Sequence, residues 1–169
     1  MNIIIVGMPR SYTSLVAKWY LDHGYSLSSK KESTADYENW EPDYMNDLDV
    51  KRLAEEINTN DRCVYKLPWL PLHFDELIPR ITVPIQVVYV LRNPLDIISS
   101  NMEKQGGTPN YHLLRMAHIY EAVARYSKAI DTEVVFGENY LPRHRRRIRK
   151  HNWSISRKVL KVWQWLSWK

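Results

Sequence analysis

Two short stretches carry residue types that hold phosphate. The first is Gly7-Met8-Pro9-Arg10-Ser11-Tyr12-Thr13-Ser14. It follows a β-branched apolar run, residues 3–6, that reads as a buried strand, and it precedes a helically spaced segment, residues 15–24. A strand, a polar turn and a helix start point backbone N–H groups and a helix N-terminus at one anion. Arg10 adds a full positive charge. Ser11, Thr13 and Ser14 add hydroxyls, any of which can also cap the helix. The second stretch is Arg92-Asn93-Pro94-Leu95-Asp96, with Ser100 eight residues beyond Arg92, about two helical turns along. Arg92 follows the near-continuously apolar residues 84–91, the pattern of a strand buried on both faces. Pro94 suits the first turn of a helix and Asp96 its positive end. If the turn folds back, Arg92 and Ser100 can share one phosphate. A third cation, Lys66, closes the strand-like run 62–67, where ligands collect in open α/β sheets.

Each stretch has a plainer alternative. The first can be a strand–turn–helix with an exposed arginine, the second a chance Arg-Asn-Pro helix entry, and Lys66 a surface lysine at a strand end. The nucleoside-triphosphate pattern G-x-x-x-x-G-K-[ST], laid on Gly7, wants Gly at 12 and Lys at 13, where this chain has Tyr12 and Thr13. The lysine that would reach the β- and γ-phosphates is missing, and no later strand ends in a clear Mg²⁺-binding aspartate. That disfavours an ATPase or kinase.

The elements that must position these residues follow from periodicity. A first helix should run over residues 12–23 and close at Gly24. A short strand is expected at 25–27 and an amphipathic helix at 49–58, with Val50, Leu53 and Ile57 on one face. A short helix or loop should fill 71–79, and residues 105–109 should turn. The longest helical pattern covers 111–130, with Leu113, Met116, Ala117, Tyr120, Val123 and Ala124 as its core face and His112 and His118 in solvent. The last strand is expected at 132–136. The chain reads as α/β. One α/β domain over 1–142 and a basic, Trp-rich helical segment over 143–169, packed on the same domain, complete the expected organisation.

The first loop resembles the 5′-phosphosulfate loop of sulfotransferases, G-x-P-[RK]-S-G-T-[ST], with Tyr12 in place of the usual glycine. The second stretch matches that family's 3′-phosphate motif, R-N-P-x-D-x-x-x-S, at every defined position. KLPWL, residues 66–70, is similar to the Lys-x-Pro element after a central strand in several members. The chain thus resembles a short sulfotransferase over residues 7–100. The resemblance implies a three-layer, P-loop-like α/β fold with a central parallel sheet flanked by helices. It implies 3′-phosphoadenosine 5′-phosphosulfate (PAPS) as co-substrate, 3′-phosphoadenosine 5′-phosphate (PAP) as product, and no metal. Pro9, Arg10, Ser11, Tyr12, Thr13, Ser14, Arg92 and Ser100 would hold the donor. Arg10 and Lys66 would stabilise charge on the leaving oxygen. Lys31-Glu32 resembles the Lys-Glu pair of carbohydrate sulfotransferases, which makes Glu32 the candidate base, with Asp36, Glu38 and His73 behind it. Glu32 can equally be one of several loop acids. The acceptor would be a small molecule or carbohydrate offering a hydroxyl or amine. A catalytically inactive nucleotide- or polyanion-binding module that keeps the fold is the alternative.

Charge divides the chain unevenly. Ten of its 24 Lys and Arg lie in residues 143–169, and none of its 19 Asp and Glu do. The body is mildly acidic and the tail strongly basic. Residues 32–49 carry seven acids and no base, interleaved with Tyr37, Trp40 and Tyr44, which suits either a solvated loop or an acceptor-binding lid. In the tail, Ile155, Val159, Val162, Trp163 and Leu166 share one helical side. A core-docked or homodimer helix is the first expectation. Peripheral membrane contact is less expected, and no nucleic acid is expected as partner. The single Cys63 excludes internal disulfides. Without a recognisable secretion signal or membrane-spanning run, a cytoplasmic location is expected.

Overall fold

The computed structural model describes residues 1–28 and 49–141. Among the described residues five strands form one sheet in the order β2-β3-β1-β4-β5, and every pairing is parallel. The central strand β1 (Asn2–Gly7) is buried throughout, as its run of three isoleucines and a valine requires. It lies between β3 (Cys63–Lys66) and β4 (Ile85–Leu91), with Ile5 opposite Lys66 on one side and Val88 on the other. β2 (Ser26–Leu27) and β5 (Asp131–Phe136) form the edges. Asn2 is the one polar residue at the start of β1. Its Nδ2 donates to the carbonyls of Ile57 and Asn60 at 2.7 and 2.8 Å, and its Oδ1 accepts from the Cys63 N–H at 3.0 Å. Burial therefore costs it little, because each polar atom keeps a partner.

Helices cover both faces of the sheet. On one face α1 (Thr13–Asp22) lays Val16, Ala17 and Tyr20 against Ile3, Ile5, Val64, Val88, Val90 and Val135. On the other, α2 (Val50–Thr59), α3 (Phe74–Leu77), α4 (Pro94–Gln105) and α5 (Pro109–Tyr126) close over Ile4, Val6, Tyr65, Val87 and Tyr89. Local signals set their starts. The Asp49 carboxylate accepts from the N–H groups of Lys51 and Arg52 and caps α2, and the Asn93 side chain accepts from the Leu95 N–H and caps α4, with Pro94 behind it.

Most expected elements appear within a residue or two of their expected limits. The longest helix departs more. It begins at Pro109, capped by the Thr108 hydroxyl, and ends at Tyr126. Its buried face is His112, Met116, Ile119 and Val123, while Leu113 is 42% exposed and Ala124 is exposed. The expectation of a solvated His112 is therefore corrected: it is 1% exposed. Its Nε2 donates to the Gly106 carbonyl at 2.8 Å. Gly106 and Gly107 both take left-handed φ, and a Cβ at Gly107 would lie 3.2 Å from His112 Nε2. The Gly-Gly loop thus wraps the imidazole and satisfies it, which turns the buried stripe away from Leu113. His118 is exposed as expected. Residues 143–169 lie outside the described residues, as do Glu32, Asp36 and Glu38.

Candidate functional site

The chain leaves β1 toward β2 by way of α1 and leaves β4 toward β5 by way of α4 and α5. The two departures run in opposite directions from neighbouring strands and on opposite faces of the sheet. A crevice therefore opens between the carboxyl ends of β1 and β4, the position where open α/β sheets bind ligands. The loop after β1 fills it. Gly7 has φ +144°, and a Cβ there would stand 2.7 Å from the Val90 carbonyl oxygen, so only glycine lets the strand turn this close to β4. Arg10 and Tyr12 both take left-handed φ, at 72° and 73°. Placed on either side of Ser11, they give the alternation of backbone hand that gathers successive N–H groups into an anion-binding concavity. The N-terminus of α1, the positive end of its dipole, begins at Thr13 directly after this loop.

Side chains from three elements converge on this loop. The Arg10 Nε donates to Ser100 Oγ of α4 at 3.1 Å. The Arg92 Nη1 donates to the Arg10 carbonyl at 2.5 Å, Arg92 Nη2 lies 3.7 Å from Asp96 Oδ2, and the guanidinium sits over the Tyr12 ring at 4.5 Å. The Lys66 Nζ reaches under α1 and donates to Ser14 Oγ at 3.2 Å, with the residue only 3% exposed. Asn101 Nδ2 donates to the Pro9 carbonyl at 3.3 Å. The two left-handed residues cost about 1–2 kcal/mol each. One charge-assisted hydrogen bond is worth about 1.5–3 kcal/mol and one shielded cation–π contact about 1–2 kcal/mol. The two Arg92 contacts are thus of the same size as the backbone strain.

The structure gathers Pro9, Arg10, Ser11, Tyr12, Thr13, Ser14, Lys66, Arg92 and Ser100 at one end of the sheet. Ser100 meets Arg10 rather than Arg92, so the two sequence stretches join through Arg10. Ser11 is fully buried, with its Oγ directed under the loop, 3.1 Å from where a Gly7 Cβ would stand. Glu32 lies outside the described residues, and His73, half-buried, ends a 3₁₀ turn after β3 (Leu70–His73). Two participants escaped the sequence reading. Asn101 stands beside Ser100 in an ordinary helical pattern and gave no signal. Gly137 follows β5 directly, and a Cβ on it would lie 2.3 Å from the Ser11 carbonyl oxygen and 2.8 Å from Tyr12 Cβ. A glycine immediately after the last strand was the signal available for it. Among the described residues no group of His, Cys, Asp and Glu can hold a metal ion. Burial pushes the Cys63 thiol pKa upward, which keeps it protonated and a poor nucleophile.

Fold and crevice together define an α/β protein of the P-loop-like class, with five parallel strands and an anion-suited loop at the end of β1. The chain is similar to the solved structure of deoxyadenosine kinase from M. mycoides, described with its product dCMP and a flexible dCDP bound. That likeness has a TM-score of 0.51 at 12% identity and covers 96% of this chain and 100% of that one. It extends to the fold. No protein-family model matches the chain, and no curated protein matches it. Among the described residues no helix is long and apolar enough to cross a membrane.

Proposed function

We propose that this chain is a sulfotransferase that moves the sulfuryl group of PAPS to a hydroxyl or amine of an acceptor by in-line displacement. The observation that carries the reading is the junction of the two phosphate stretches. Arg10 bonds Ser100 through its side chain and Arg92 through its carbonyl, although about ninety residues separate them. A donor with phosphate on both the 3′ and the 5′ oxygen of one ribose calls for two cationic stations a short distance apart. Among the described residues, Arg10, Lys66 and Arg92 bring three cations to the loop, and Asp96 pairs with Arg92. That balance suits a multiply charged anion.

In this reading the loop and the α1 N-terminus cradle the 5′-phosphosulfate. Arg92 and Ser100 meet the 3′-phosphate. The acceptor oxygen or nitrogen forms a bond to sulfur as the bond from sulfur to the bridging phosphate oxygen breaks. The acceptor proton goes to a carboxylate, with Glu32 as candidate, and PAP leaves. Negative charge grows on the bridging oxygen, where fixed donors act most strongly. Arg10 serves as a permanent cation there because a guanidinium does not give up its proton. Lys66 can donate to the leaving oxygen or to the sulfuryl oxygens.

Calorimetry with PAP, followed by an acceptor screen with labelled donor read by mass spectrometry, tests this. Wild type should bind PAP, Arg92→Ala should weaken that binding at least tenfold, and sulfated product should accumulate with one acceptor class. Failure to bind PAP would sink the assignment. The alternative, an inactive module that keeps the fold, is favoured by Tyr12 at the position of the motif glycine. It predicts PAP binding with no product from any acceptor.

A further inference from the structure

We propose that Tyr12 is a positioning residue whose ring holds the Arg92 guanidinium in the orientation that meets the donor's 3′-phosphate. This rests on the PAPS reading above. Tyr12 occupies a left-handed conformation, φ 73° and ψ 22°, that a glycine enters without steric penalty. A tyrosine there costs the loop energy, so its side chain has to return some. The ring returns it through Arg92, whose Cζ lies 4.5 Å from the ring centroid, within the range where an aromatic face attracts a cation. The Arg92 side chain is 10% exposed, so water screens the contact little.

The surroundings are shaped for this ring. Gly137, at the end of β5, leaves open the space that its own Cβ would take from Tyr12 Cβ and Cδ2, at 2.8 and 3.0 Å. With Nη1 on the Arg10 carbonyl, Nη2 facing Asp96 and one face on Tyr12, the guanidinium is held at two edges and a plane. An arginine fixed in this way gives up less side-chain freedom when an anion arrives, which is how preorganisation raises affinity.

Three variants and two nucleotides test the role. PAP carries the 3′-phosphate and adenosine 5′-phosphosulfate lacks it. Tyr12→Phe keeps the aromatic face and should bind PAP within about twofold of wild type. Tyr12→Leu keeps bulk without the face, and Tyr12→Gly removes both. Each should weaken PAP about tenfold, the scale of one shielded cation–π contact. Affinity for adenosine 5′-phosphosulfate, which meets the same loop without a 3′-phosphate, should fall clearly less than PAP affinity in the Leu and Gly variants. Tyr12→Gly should melt no lower than wild type, because it sheds the left-handed strain, and Tyr12→Leu carries the binding test if it does not fold. Undiminished PAP affinity in the Leu and Gly variants overturns the role and leaves the PAPS reading standing. Equal loss for both nucleotides also overturns it, since that marks a damaged loop rather than a misplaced arginine. A wild type that binds neither nucleotide defeats the donor assignment itself and this role with it.

Discussion

Lys66 sits in an uncomfortable place for a lysine. It is 3% exposed, it ends a strand whose other residues are buried, and its Nζ lies against Ser14 in the first turn of α1. A buried cation costs desolvation, and one beneath a helix N-terminus faces the positive end of the dipole. An anion in the loop adds direct attraction to the ammonium, which offsets both costs. Lys66→Met, close in shape and without charge, should therefore lower sulfuryl transfer at least a hundredfold while the protein stays folded. A thermal melt beside a turnover assay checks both arms. A clear drop in melting temperature would mark Lys66 as a structural residue. The sequence placed Lys66 at a strand end but left its direction open, because nothing in RCVYKL tells which face of the sheet receives the side chain. Pairing with Ile5 and the position of α1 decide that.

At the scale of elements, the loop after β1 and the turn after β5 are locked together. The 3₁₀ turn Gly137–Tyr140 packs along α1, with the Tyr140 ring 6.1 Å from Trp19 and edge-on to it. Gly137→Ala would push a methyl group to 2.3 Å from the Ser11 carbonyl oxygen, a backbone atom with no room to give. Overpacking of this kind costs about 1–3 kcal/mol. Urea unfolding should show a loss on that scale, together with weaker PAP binding because the displaced backbone belongs to the loop. Unchanged stability would mean that β5 and the loop are independent. The longest helix illustrates the converse limit of pattern reading. Its apolar stripe could be drawn through Leu113 or through Ile119, since both fit a 3.6-residue period. The choice fell to His112, a polar residue that can be buried here only because Gly106 offers its carbonyl. Periodicity counts apolar side chains and is blind to a polar one whose partner comes from a neighbouring loop.

For the whole molecule, several tyrosines titrate against the fold. Burial pushes the Tyr120 hydroxyl up to about 12, from an ordinary value of 10.0. Burial also raises Tyr20, assisted by Glu133, and Tyr65. A raised folded-state pKa means that the unfolded chain loses its proton first. The stabilisation is thus complete below pH 10 and drains away as pH climbs through 10 toward the folded value. For Tyr120 two pKa units correspond to about 2.7 kcal/mol. Melting temperature should be level through neutral pH and fall steeply above pH 10, with tyrosinate absorbance appearing together with unfolding. Phenolate absorbance that rises fully while the protein stays folded would contradict this.

The sequence by itself determined the elements and the two phosphate-suited stretches, because strand burial, caps and a proline at a helix start are written in residues close together in the chain. It also determined that Arg10 lies three residues after Gly7 and that Thr13 stands where a P-loop would have its lysine. Tertiary structure alone decided that Arg10 reaches Ser100, that Arg92 grips the loop carbonyl and the Tyr12 ring, and that Gly137 leaves space for that ring. Those contacts join residues from the ends of β1, β4 and β5 with one from α4. Parallel pairing through crossovers brings such ends together, and no local pattern records which side chains then meet.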